Sequence, residues 1–155
     1  MQIWIDGDSC PKLIRNIIIK AGERRGVPVI FISDRALPDV ESTWAEMIIV
    51  EPGDQAVDIY LNGKVIEGDL VITRDIPLAA ELIAKGALVM DDRGSLLTES
   101  NIGERLSTRN FLSALRDSGV GTVTASFEYG KKEVKAFSDL LDRTLTRLTR
   151  GKLKG

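Results

Sequence analysis

The chain has 155 residues, 43% hydrophobic and 28% charged, which fits one soluble globular domain with its own core and excludes disordered and collagen-like classes. Its net charge of -2, from 21 basic and 23 acidic residues, is not that of a strongly basic nucleic-acid binder, although a local basic face would suffice for phosphate contact. A single cysteine excludes an intrachain disulfide, and the absence of histidine excludes Ser-His-Asp, Cys-His and His-ligated zinc chemistry.

The opening run Gln2 to Asp6 reads as a strand, with no basic leader or cleavage site before it, which points to a cytoplasmic protein. Pro11 fits the first turn of a helix with Asp8 or Ser9 as its cap, and Leu13, Ile14, Ile17, Ile18 and Ala21 recur at helical spacing up to Gly26. Val27 to Ile32 is a second strand, Ser33 to Pro38 a loop carrying Arg35, and Met47 to Val50 a third strand. Asp54 to Leu61 reads as a short helix capped by Asp54, unless Asn62-Gly63 marks a hairpin. Asp69 to Thr73 is an apolar strand and Asp75 to Lys85 a helix ended by Gly86. Ala87 to Met90 is a further strand, ending in Asp91-Asp92, and Arg93-Gly94 turns the chain into Leu96-Leu97.

Glu99 to Ser118 is a long helix broken or bent around Gly103. Residues 119–126 form a small-residue linker to a last amphipathic helix over 127–148, whose stripe is Phe137, Leu140, Leu141, Leu145 and Leu148. Residues 151–155 are expected to fray, so one domain spans 1–150. No run approaches the roughly 20 apolar residues of a membrane span. Alternating strands and helices predict a single three-layer α/β domain, its central sheet mostly parallel and flanked by helices.

In such sheets ligands bind beyond the carboxyl ends of the strands. Three segments place an acid there: Ile3-Trp4-Ile5-Asp6, Val71-Ile72-Thr73-Arg74-Asp75 and Leu88-Val89-Met90-Asp91. Converging carboxylates repel one another, and a hard cation such as Mg²⁺ or Mn²⁺ relieves that repulsion through oxygen ligands. Asp75 before Ile76-Pro77 also suits a plain helix cap. Asp58, four residues after Asp54, is a further site candidate.

Asp6-Gly7-Asp8-Ser9-Cys10-Pro11 resembles the DADACP opening of the bacterial YaiI/YqxD family. Gly68-Asp69-Leu70-Val71-Ile72-Thr73-Arg74-Asp75-Ile76-Pro77-Leu78-Ala79 is similar to that family's GDLVITADIPLA block. Asn101-Ile102-Gly103-Glu104-Arg105-Leu106-Ser107, followed by Arg109, resembles its third block, so the likeness runs to about Arg116. The resemblance implies a PIN-like fold related to the NYN nucleases and a metal-dependent ribonuclease acting on RNA. It assigns Mg²⁺ or Mn²⁺ to Asp6, Asp58, Asp75 and either Asp91 or Asp92, with Asp8 as a further catalytic member. Where the family commonly has a second acid before Asp58, this chain has Val57.

Arg35, Arg74, Arg105 and Arg109 lie in or near these motifs and are candidates for gripping substrate phosphate, while Arg74 and Arg109 also suit ion pairs with the acidic rim. The last helix, with Lys131, Lys132, Lys135, Arg143, Arg147 and Arg150, reads first as a solvated face and matches the family poorly. Cys10 is expected to be a buried packing residue. Two rival functions stand: a non-catalytic RNA- or protein-binding module on a nuclease fold, and a haloacid-dehalogenase-like phosphatase. The phosphatase would use Asp6 as nucleophile, Asp8 as acid-base group, and Thr73, Lys85 and Asp91-Asp92 as its later parts.

Overall fold

Strand β1, Ile3–Asp6, is buried along its whole length, because its side chains alternate between two separate cores. Ile3 and Ile5 point to one face and Trp4 to the other. The computed structural model describes residues 1–7, 10–37, 40, 44–53, 55–117 and 130–153. After β1 come α1 (Lys12–Arg25), β2 (Val29–Ser33), β3 (Ala45–Ile49), α2 (Ala56–Lys64), β4 (Leu70–Ile72), α3 (Ile76–Ala84), β5 (Leu88–Met90), β6 (Leu96–Leu97), α4 (Glu99–Asp117) and α5 (Lys131–Leu153). The sheet order is β3-β2-β1-β4-β5-β6. The first five strands are parallel, and β6 turns back antiparallel with Val89 opposite Leu97.

Helices cover both faces, as the continuous apolar strands require. Ile14 and Ile18 of α1 and Phe137, Leu141 and Leu145 of α5 pack on Ile3, Ile5, Phe31, Ile72 and Met90. On the other face Leu61 of α2 and Leu78 and Leu82 of α3 pack on Trp4, Ile32, Val71 and Val89, with Ile102 of α4 against them. Each such buried side chain contributes roughly 1.5–3 kcal/mol of transfer free energy. The architecture is therefore the expected three-layer α/β domain. No helix among the described residues is long and apolar enough to cross a membrane.

Local chemistry explains where the elements stop. Gly26 ends α1 at φ 68°, a left-handed conformation that glycine adopts without a Cβ penalty. Asp75 caps α3, accepting a hydrogen bond from the Leu78 amide at 3.0 Å, with Pro77 in the first turn.

Several expectations need correction. Pro11 stands at the N-cap of α1 instead of inside its first turn, its carbonyl accepting from the Arg15 amide at 3.0 Å. Asn62 and Gly63 form no hairpin; both lie in the last turn of α2, since Leu61 and Val65 pack into the core beside them. Helix α4 runs unbroken through Gly103. Helix α5 continues to Leu153, past the expected end at 148; within it the Thr149 hydroxyl donates to the Leu145 carbonyl at 2.7 Å. Asp8, Ser9, Asp54, the linker 119–126 and residues 127–129 and 154–155 lie outside the described residues.

The start of β1 is fastened by Asp69, which is 2% exposed. Its carboxylate accepts from the Gln2 amide at 3.0 Å, the Trp4 indole at 3.0 Å and the Ile66 amide at 3.1 Å. Asp69→Ala strands three donors, and is expected to lower unfolding free energy by about 3 kcal/mol or more. Urea denaturation followed by Trp fluorescence checks this; an unchanged midpoint would show that the latch contributes nothing.

Candidate active site

The sheet order reverses between β1 and β4, where connections leave on opposite sides and a crevice opens beyond the strand ends. Asp6, the last residue of β1, lies in this crevice and is 8% exposed. The Thr73 hydroxyl, just past β4, donates to Asp6 at 3.1 Å and accepts from the Asp75 amide at 3.0 Å. One hydroxyl thus fixes two acids from neighbouring strands. Asp58, in the first turn of α2, has the Asp75 carboxyl as its nearest electrostatic neighbour. Together Asp6, Asp58 and Asp75 line a cleft of about 280 Å³, with Asp34, Gly53, Gln55, Ala56 and Val57 as its remaining walls.

Burial pushes the Asp58 carboxyl up from its ordinary 3.8 to about 7, with the hydrogen bond and charge of Asp75 adding to it and the charges of Asp6 and Glu81 following. Two carboxyls in contact share one proton more readily than they carry two charges. Such a cluster of oxygen donors is suited to a hard divalent cation, which would remove the repulsion that now holds the proton. Among the described residues, no three acid or cysteine side chains already stand close enough to hold an ion between them.

Asp91 is not brought to this cleft. Its carboxylate accepts from the Arg93 and Ser95 amides, both at 2.9 Å, and so builds the turn between β5 and β6. The tight reversal into the antiparallel β6 needs that acceptor, which corrects the reading of Asp91 as a ligand beside the others. Arg74 is likewise committed: its Nε donates to both oxygens of the buried Asp92 at 2.8 and 2.9 Å, and its Nη2 to one of them. That fork makes Arg74 a structural partner of Asp92, the alternative its sequence position allowed. Arg105 reaches to 4.0 Å from Asp91 and is half-exposed. Arg35 is mostly exposed and donates to Asp34 at 3.2 Å, at the mouth of the cleft. The side chains of Asp8 and Arg109 lie outside the described residues.

Asp34 was not among the expected site residues, and Thr73 was expected only in the phosphatase reading. Asp34 follows Ser33 at the end of β2, so the rule that selected Asp6 applies to it equally. Cys10 is buried, and its thiol is pushed up to about 12 by burial first and by the charge of Asp92 second, which suits packing and not attack on a substrate. The phosphatase arrangement fails on Lys85 and Asp92. Lys85 caps the far end of α3 on the Asn62 carbonyl, at the opposite edge of the sheet from Asp6. Asp92 is held by Arg74. Val57 faces the core beside Trp4 and Leu61, so the position before Asp58 is a packing position in this chain.

Fold and cleft define an α/β protein with an acidic crevice at the topological switch of a parallel sheet. The chain belongs to the family described as "Uncharacterized BCR, YaiI/YqxD family", whose model matches residues 4–147. A UPF0178 protein of Treponema denticola is 46% identical over 147 residues, covering 95% of this chain and 93% of the relative. Another, from Syntrophobacter fumaroxidans, is 42% identical over 155 residues, covering 100% and 99%, so the likeness runs from end to end of both chains. A UPF0178 protein of Treponema pallidum is 40% identical over 150 residues, covering 97% of this chain and 84% of the relative. The likeness therefore extends well beyond Arg116, and α5 is matched as far as residue 147, which corrects the expectation that the last helix stands apart from the family. No solved structure matches the chain significantly.

Two outcomes follow from this geometry. The folded chain keeps a proton on Asp58 that the unfolded chain releases, so this group takes stability away as pH rises from about 4 to about 7, with no further loss above. In metal-free buffer the wild type minus Asp58→Asn difference in melting temperature should fall across that window; parallel profiles would remove the assignment. Arg74→Ala leaves buried Asp92 without its guanidinium and is expected to cost about 3 kcal/mol in chemical denaturation, whereas a pure substrate contact would cost nothing measurable.

Proposed function

We propose that the chain is a divalent-metal-dependent ribonuclease with a PIN-like fold, its centre at Asp6, Asp58 and Asp75. The observation that carries the reading is the convergence of these three carboxylates, from β1, α2 and the start of α3, on one cleft at the switch of the sheet. Asp75 also caps α3 and Asp6 also takes the Thr73 hydroxyl, but Asp58 has no such structural partner among the described residues, and its repulsion with them works against the fold. Mg²⁺ or Mn²⁺, when bound, supplies a Lewis acid that activates water and offsets phosphate charge.

The chain's own groups supply the rest. Asp6, Asp58 and Asp75 hold the cation, and Thr73 keeps Asp6 and the Asp75 backbone in register. Asp34 orients water at the margin, and Asp8 keeps the catalytic role that the family resemblance gives it. Asp58 keeps its proton near neutral pH only while no cation is bound, and cation binding displaces it. Arg35 at the mouth, with Arg105 and Arg109 from α4, grips phosphate oxygens of RNA.

Calorimetry with Mn²⁺ tests the centre. Wild type is expected to bind saturably and to release protons on binding, because cation and proton compete for the Asp58–Asp75 pair. Asp6→Asn/Asp75→Asn should abolish binding and reduce Mn²⁺-dependent RNA cleavage on the order of 100-fold or more. No binding by the wild type at millimolar metal would reject the nuclease reading, and metal-independent RNA binding without cleavage would identify a non-catalytic module instead.

A further inference from the structure

Charge on this chain is sorted by layer. Helix α1 and residues 131–149 of α5 together carry ten basic and four acidic residues, a surplus of six on a chain whose total is -2. The opposite helical layer, α2, α3 and α4, carries four basic and five acidic residues. Outside α1 and residues 131–149 the chain carries 11 basic and 19 acidic residues, so basic charge is concentrated on the α1/α5 layer.

The two helices lie side by side and run in the same direction. Helix α1 leaves the carboxyl edge of the sheet directly after β1. Helix α5 starts at that edge too, where Ala136 packs so closely on Gly94 of the β5–β6 turn that a Cβ there would lie 2.5 Å from its backbone. At the far end Arg25 of α1 pairs with Asp142 of α5. Lys20 and Arg24, one turn apart on α1, line a groove of about 450 Å³ against Ser138, Leu141 and Asp142 of α5. Lys131, Lys132, Arg143 and Arg147 are exposed along α5. From Lys131 to Arg147 the helix advances about 24 Å, some two-thirds of the ~34 Å turn of a duplex.

We propose that the α1/α5 layer is a docking face for the phosphate backbone of a double-stranded nucleic acid. Charge complementarity points to a polyanion, and the chemistry of the layer selects which kind. Neither helix offers an aromatic ring for base stacking over these residues, since the one ring, Phe137, is fully buried in the core. Contact is therefore to phosphates and is indifferent to base sequence. An acidic membrane surface is the poorer partner. The apolar stripes of both helices are spent on the core, and Leu13 is the one large apolar side chain exposed on them, too little to insert into lipid. The choice of RNA over DNA as the bound duplex rests on the ribonuclease reading; the surface itself does not.

The test is fluorescence anisotropy with a labelled RNA duplex, in EDTA and at about 50 mM salt, so that metal and catalysis play no part. Wild type is expected to bind with strong salt dependence. Lys20→Gln/Arg24→Gln/Arg143→Gln/Arg147→Gln should bind at least tenfold more weakly and flatten the logarithmic salt slope by about 3 to 4, at roughly 0.9 per lost phosphate contact. All four residues are exposed, and an unchanged circular dichroism spectrum and melting temperature confirm the fold. Asp6→Asn/Asp75→Asn should bind the duplex as wild type does, whatever happens to its cleavage. The proposal is overturned if wild type does not bind, if the Gln variant binds equally well, or if the acidic-cleft variant loses binding. Binding to anionic phospholipid vesicles but not to the duplex overturns it in favour of a membrane surface. Binding that persists without Mn²⁺-dependent cleavage supports the docking face while rejecting the nuclease.

Discussion

The pairing of β1 with β4 is the constraint on which the rest of the molecule depends. These two strands are remote in sequence, and parallel pairing of such segments must be secured by side chains as well as by the ladder. Two acids at opposite ends do this. At the start, Asp69 takes donors from Gln2, Trp4 and Ile66, and at the finish Asp6 takes the hydroxyl of Thr73. The register between Ile3–Leu70 and Ile5–Ile72 is thus pinned from both sides, and a slip by one residue would send Trp4 into the wrong core. The same pairing brings Asp6 to Asp75. Structure and candidate site rest on one piece of geometry.

Asp69 and Asp58 differ in what surrounds them. Asp69 is buried among three donors, and a carboxylate so surrounded favours the fold. Asp58 has another carboxyl for its neighbour, and burial and repulsion combine to hold a proton on it. A stability-optimised sequence would place Asn or an apolar residue there. Local cost at a crevice, set against full satisfaction of the acids that only hold the fold, is the distribution expected of a working site. It is also why Arg74 and Asp92 do not belong to that site. Their fork satisfies both charges and leaves little to offer a ligand.

Much of this was legible in the sequence, for physical reasons that differ by element. Short apolar strands followed by helical periodicity gave the parallel sheet, because two covered faces leave no room for polar alternation in β1, β2 and β4. Asp6 and Asp75 were legible because strand ends are where parallel sheets bind ligands. The same rule overreached at Asp91: a turn and a ligand both want a carboxylate after a strand, and only the observed amide donors of Arg93 and Ser95 distinguish them. Asp34 obeyed the rule but sits in a loop with no periodicity to mark it. Thr73 was legible only as a part of the phosphatase reading, since a hydroxyl that links two acids looks in sequence like any strand-end threonine. Helix boundaries missed where tertiary packing overrides local signals, as at Asn62-Gly63, whose turn propensity yields to the burial of Leu61 and Val65.

Sorting of charge resolves a conflict that the net value of -2 conceals. A cluster of carboxylates repels phosphate, so an enzyme built on one needs either a cation in the cleft or attraction supplied elsewhere. Exposed charges are screened beyond about 8–10 Å at physiological salt, so that attraction must come from a face that touches the polyanion directly. The proposed docking face on α1 and α5 would meet this requirement, because both helices begin at the edge of the sheet that carries the acids and lead away from it. Binding energy gathered along the helices would then hold the backbone against the repulsion at the cleft, as remote contacts offset unfavourable terms at a reacting centre. Such a division makes the two halves chemically separable. On the proposed reading, salt would weaken contact with the basic layer without altering the donor set of the cleft, and chelation would remove a cation from the cleft without altering the charge of the layer.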